Sequence, residues 1–247
     1  KMTDPGFTPP ASDAALSSAG LDSDTTLSIS GEKGSATIVV KQTDTIEALV
    51  QAINNQTSVT GVSAFYDETL GSFFFTSVNT GSSAKVELTS TASSLITDVF
   101  RLEGSADVSG QGELVTGSRV FEARTQQIIN KDLTGAQTFR IRYDGQDYDF
   151  TIDESTTIGN LIKQINSSDL GKAGVSAYLN DAGNLVFFNP NFDPNADPED
   201  QKTLSFSDEP SDSQDILVSL GLDSVQTDPV SGFTRVNRTG QNAKIEL

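Results

Sequence analysis

Apolar residues at Ile46, Leu49, Val50 and Ile53 fall at i, i+3, i+4 and i+7, and Ile158, Leu161, Ile162 and Ile165 repeat the spacing 112 residues later. Each set draws one apolar stripe along a short amphipathic helix of about three turns at most. Thr45 and Thr157, or the residue just before each, can cap the helix start by accepting an unpaired amide. Asn54 and Asn166 stand at the exits, where a left-handed residue is tolerated. Around each helix the apolar period changes to two. "TLSISGEKGSATIVV" (26–40) and "FRIRYDGQDYDFTI" (139–152) each predict two strands and a turn, with Asp144-Gly145 a strong type I′ hairpin signal. After each helix, "GVSAFYDETLGSFFFTS" (61–77) and "GVSAYLNDAGNLVFFNP" (174–190) predict a second hairpin.

The two stretches are copies of one unit, which reads T-I-x-x-L-[VI]-x-x-I-N, a short polar gap, then G-V-S-A-[FY]. The expected fold class is α+β, mainly β: two related units, each a small antiparallel sheet with one short amphipathic helix packed on it. Each unit is followed by a strand and a brief helix, within 85–104 and 202–224. "LSSAGLDS" (16–23) resembles "LVSLGLDS" (217–224), as though the chain opened on the tail of another unit. The expected boundaries are a disordered tail at 1–10, a first domain at 11–110, a second at 111–238, and a return strand at 239–247. Gly-rich 104–120 reads as a linker or a long mobile loop. "TGSSAKVEL" (80–88) closes the first unit and is echoed by "TGQNAKIEL" (239–247).

Charge narrows the partners. Sixteen Lys and Arg face 34 Asp and Glu, for a formal charge of -18, a field that repels phosphate backbones and anionic lipid head groups. Neither nucleic acid nor a membrane is an expected partner. The chain has no Cys and no His, which removes disulfides, thiolate and imidazole metal sites and the commonest nucleophile and base pairs. No enzyme activity, cofactor or metal is expected.

Three features remain as candidate chemistry. In "NFDPNADPEDQ", Asp193, Asn195, Asp197 and Glu199 alternate as calcium ligands would, but Pro198 holds the position where an EF-hand loop needs glycine. The stretch Asp193 to Asp200 is expected to be a solvated acidic loop. Paired carboxylates suit a glycosidase, yet with 34 acids some pair will stand close by chance, and no Trp and four Tyr suggest no sugar cleft. Phe73, Phe74 and Phe75 are consecutive in a strand, so Phe74 must face away from its neighbours. Leu185, Val186, Phe187 and Phe188 pose the same problem. Phe74 and Val186 are therefore the candidate interface residues, with burial under a loop or the neighbouring unit as the alternative.

The strand pair, "TIEALVQAINN", "GVSAFYDE" and "FFFTSVNTGSSAKVEL", in that order, resemble the flagellin hook IN motif, which occurs in bacterial flagellar hook-associated protein 2, the filament cap, and in some flagellins. The second copy matches through "TIGNLIKQIN" and "GVSAYLNDAGNLVFF" and departs after it, while "TGQNAKIEL" is similar to a segment leading back from the outer domains of caps. The resemblance implies the outer domains of an extracellular cap that sits on the filament tip and promotes flagellin insertion and polymerisation. Its partners would be flagellin and other copies of itself in a ring. The sequence shows no sustained heptads, so the coiled-coil regions of that family are expected to lie outside this chain. A variable outer domain of a flagellin, and an adhesin-type module with a host surface ligand, are the alternative expectations.

Overall fold

The computed structural model describes residues 8–78, 84–102, 106–129, 135–208 and 216–239. The first repeat runs β1 (Thr25–Gly31), β2 (Ser35–Val40), α1 (Ile46–Asn54), α2 (Thr57–Thr60), β3 (Val62–Asp67), β4 (Ser72–Ser77) and β5 (Lys85–Ser90), then a π-helical turn, Leu95–Val99. After β6 (Ala106–Val120) the second repeat follows: β7 (Gln137–Tyr143), β8 (Gln146–Ile152), α3 (Ile158–Asn166), α4 (Asp169–Lys172), β9 (Ser176–Leu179), β10 (Asn184–Asn189), β11 (Leu204–Asp208) and α5 (Ile216–Leu220). A last strand, β12, spans Val225–Thr239.

Both long helices begin at the expected threonines: Thr45 Oγ1 accepts the Ala48 N–H at 3.1 Å, and Thr157 Oγ1 accepts the Asn160 N–H at 3.2 Å. Their exits differ from expectation. Asn54 and Asn166 are the last helical residues, and the chain continues right-handed through Asn55 and Ser167. The polar gap coils into α2 and α4, and the left-handed residue comes later, at Gly61 (φ 76°) and Gly174 (φ 103°). Glycine has no Cβ to oppose that conformation, which displaces it from the asparagines.

The two repeats share strand register as well as sequence. Thr26 faces Val39 across the first hairpin, and Thr138 faces Thr151 at the matching places. In the second hairpin Phe65 faces Phe74, and Tyr178 faces Val186. The following strand adds to the first hairpin in both, giving β2-β1-β5 and β8-β7-β11. The fold is α+β and mainly β, with short helices on antiparallel sheets.

Between the repeats the structure departs from the expected linker. The Gly-rich stretch is β6, a 15-residue strand lying between β12 and β10. Absence of a side chain is what its packing uses: a Cβ on Gly117 would stand 3.1 Å from the carbonyl oxygen of Gly221, which accepts the Ser118 N–H at 2.8 Å. The result is one seven-stranded sheet, β2-β1-β5-β12-β6-β10-β9, which takes strands from both repeats. The expected return strand 239–247 lies outside the described residues beyond Thr239, as do 1–7 of the expected tail and 80–83 of "TGSSAKVEL". Pro10 is tied down, its carbonyl accepting the Tyr66 hydroxyl at 2.7 Å.

Each repeat keeps its own core. In the first, Leu16, Leu21, Leu27, Ile29, Ile46, Leu49, Ile53, Phe73 and Phe100 are buried together. In the second, Phe139, Ile141, Ile158, Leu161, Ile165, Phe187 and Leu220 do the same. Ala15 bridges Thr45 as Gln127 bridges Thr157. The segment at 16–23 thus starts where the chain around Ile128 lies in the second repeat, and it forms the same turn as the tail it resembles: the Leu21 N–H donates to the Leu16 carbonyl at 2.9 Å as the Leu222 N–H does to that of Leu217 at 2.7 Å.

Candidate functional site

The hairpin β3–β4 has two unlike faces, because successive strand residues point to opposite sides. Its inner face brings Tyr66, Phe73 and Phe75 onto the core, with Phe73 and Phe75 edge-on to Phe100 at 4.9 and 5.0 Å between ring centroids. The outer face carries Phe65 and Phe74, directly opposite one another, 63% and 45% exposed. Phe74 points away from the core as the three consecutive aromatics require. Phe65 was legible by the same rule, since Val62, Ala64 and Tyr66 alternate inward around it.

The equivalent face of the second repeat is covered. Tyr178, Val186 and Phe188 are buried together, with Val39 of β2 and Leu114 of β6 packed on them. Val186 is 2% exposed, so it lies in a contact between the repeats and offers no free surface. Burial pushes the Tyr178 hydroxyl up to about 12. Around this apolar patch Ser35 Oγ donates to the Val175 carbonyl at 2.7 Å, the hydroxyls of Thr37 and Ser176 touch, and Lys41 pairs with Asp181 at 2.9 Å. At the rim, Gly34 lies against the Asn166 carbonyl so closely that a Cβ would meet it at 2.0 Å.

The asparagine that ends each long helix reaches across to the next strand. Asn54 Nδ2 donates to the Ala64 carbonyl at 3.0 Å, and Asn54 Oδ1 accepts the Ala64 N–H at 2.8 Å. Asn166 makes the same pair with Ala177, at 2.9 and 2.7 Å. A primary amide presents a donor and an acceptor side by side, the arrangement a neighbouring strand would offer. It therefore seals β3 and β9 where no strand can. Helix, asparagine and strand form one clamp, present twice, and the family described as the flagellin hook IN motif matches residues 26–92 and 138–190.

Both repeats match the flagellin hook IN motif.

The asparagine of the IN motif is thus the residue that fastens its helix to its second hairpin. The match supports a flagellar structural role. A solved structure that aligns with the chain is the crystal structure of the flagellar cap protein FliD from Helicobacter pylori, 12% identical over 97% of this chain and 91% of that one. The TM-score is 0.26, too low for the two arrangements to be compared as wholes. No curated protein matches the chain.

Other polar features serve the scaffold of the two IN motifs. Glu113 of β6, 3% exposed, accepts from Asn189 Nδ2 at 2.9 Å and from the Leu204 N–H at 3.2 Å, linking β6 to β10 and β11. Its burial raises its pKa, against the lowering effect of those two bonds. A cavity of about 230 Å³ between the repeats is lined by Ser28, Ser30, Thr89 and the Lys85–Glu87 ion pair at 3.0 Å. In the acidic loop, Asp193 accepts the Asn195 N–H at 2.9 Å in a local turn. Among the described residues no three acidic side chains are grouped to hold a metal ion, and no helix is long and apolar enough to cross a membrane.

Proposed function

We propose that the chain serves in the cap of the bacterial flagellar filament, outside the cell, where it promotes insertion and polymerisation of flagellin. Two hook IN motifs fused through one seven-stranded sheet support an architectural role rather than catalysis. The observation that carries the reading is the aromatic pair Phe65 and Phe74: rings left in water on a well-formed hairpin are what a contact surface requires. Its partners are flagellin and further copies of the chain, with Phe74 at the contact. The repeats act as two domains, 11–110 and 111–238, held in fixed orientation by β12 and β6.

Labelling the protein on flagellated cells tests this. A cap gives one focus at each filament tip, and its loss releases unpolymerised flagellin into the medium. Label along the whole filament would instead make the chain the outer domain of a flagellin. Label that follows a host glycan and not the filament would make it an adhesin.

A further inference from the structure

Each repeat carries the same two outer faces by position, and the contact between the repeats uses one from each. In the internal joint the first repeat contributes the outer face of β2, with Ser35, Thr37 and Val39, and the second contributes the outer face of β9–β10, with Ser176, Tyr178 and Val186. Two counterparts remain open. On the hairpin face of the first repeat Phe65 and Phe74 are exposed and Ser63 is half-buried, and its IN asparagine Asn54 is exposed, whereas Asn166 is 3% exposed. At the other end, β8 is the repeat equivalent of β2. Asp147, Asp149 and Thr151 stand at the places of Ser35, Thr37 and Val39, all three exposed, on the outermost strand of its sheet.

We infer that these two open halves pair between copies: the outer face of β7–β8 in one molecule docks on the Phe65–Phe74 face of the next, head to tail. The chemistry of the two surfaces is compatible. Arg140 and Arg142 hold Asp149 and Asp147, each at 2.7 Å, so the β7–β8 face is locally neutral in a chain of formal charge -18 and escapes much of the mutual repulsion. Guanidinium groups stack on aromatic rings, and Phe65 and Phe74 present two. The Ser63 hydroxyl, paired with Thr76 at 2.8 Å, stands where Ser176 stands in the internal joint, and there it would meet the Asp149 carboxylate.

The pairing is weaker than its internal model, for two reasons. No strands equivalent to β12 and β6 bridge it, and Gln146 occupies the position of Gly34, so the turn cannot approach the IN helix as closely. Because the two halves differ, the contact is heterologous, and repetition generates a ring or an open helix according to the rotation per step. The inference deepens the assembly role proposed above by naming the surfaces through which copies meet.

The chain has no cysteine, which permits a direct test. Thr151→Cys and Thr76→Cys proteins, Thr76 standing beside the Phe65–Phe74 pair at the place of Phe188, are prepared separately, mixed at high concentration and oxidised. A mixed disulfide dimer exceeding either homodimer several-fold, and a ladder of higher species from the double variant, are expected. Homodimers in excess, or no linkage beyond that of a Cys placed at Asp193, would overturn the joint. That outcome leaves the cap reading standing, because tip labelling tests it separately. Circular dichroism of each variant excludes misfolding as the cause.

Discussion

Gly34 and Asn166 meet backbone to backbone across the two repeats, leaving no room for a Cβ between the glycine and the asparagine carbonyl. The turn of one IN motif thereby rests on the helix end of the other. Gly34→Ala forces a backbone shift at this contact and strains the Ser35 and Thr37 hydroxyl bonds beside it. The expected loss is about 1–3 kcal/mol, read as a lower urea midpoint. An unchanged midpoint would mean that the repeats are held by β12 and β6 alone.

The two IN asparagines make the same bonds in different surroundings, so their removal has different costs. Asn166→Ala leaves the Ala177 N–H and carbonyl buried and unpaired, at roughly 2–5 kcal/mol for the two groups. Asn54 is exposed, water replaces its amide, and Asn54→Ala costs about 1 kcal/mol. Equal losses in denaturant titrations of the two variants would contradict this account.

Tyr178 sets an alkaline limit. Its folded pKa, about 12, lies above the unfolded value near 10, so the unfolded chain releases the proton first. Its contribution to stability is complete below about pH 10 and falls as pH rises toward 12. Tyr178→Phe is expected to lose stability less steeply over that interval. Ultraviolet titration of the phenols, compared with the parent chain, assigns the delayed ionisation.

Glu113 works in the same direction at lower pH. With its pKa raised by burial, the folded state favours the protonated form, and stability from this group is greatest below the unfolded carboxyl pKa. It is lost as pH rises through the folded value. Glu113→Gln keeps an oxygen for Asn189 and Leu204 and cannot ionise, so its stability relative to the parent increases from acid to neutral pH. Thermal melts across that range check the slope, and a relative stability that decreases with pH would refute it.

Phe65→Ala and Phe74→Ala change little in the isolated fold, within about 0.5 kcal/mol each, as surface substitutions do. Their effect is expected on association, as a loss of cross-linked species. A large fall in melting temperature would place these rings in the core instead.

Much of each repeat was legible because its signals are local. The stripes at Ile46 to Ile53 and Ile158 to Ile165, the capping threonines and Asp144-Gly145 each fix their structure within a few residues. The sheet that joins the repeats was not legible. Residues 106–120 and 225–239 pair with each other and with strands far off in sequence, and their glycines read as punctuation when they were serving close approach. Phe74 and Val186 have the same local pattern, and the positions of β2 and β6 decide that one is open and the other covered. The clamp by Asn54 and Asn166 was hidden for a related reason: an asparagine at a helix end signals an exit, and nothing nearby shows what its amide reaches.

The antiparallel pair β6–β12 also has a mechanical meaning. The two run side by side from Val225 opposite Gly117 to Val236 opposite Ala106. A pull that drew the repeats apart along these strands would load their backbone bonds together, in shear, instead of opening them one after another. Under load such a part acts as a stiff strut, passing force from one repeat to the other.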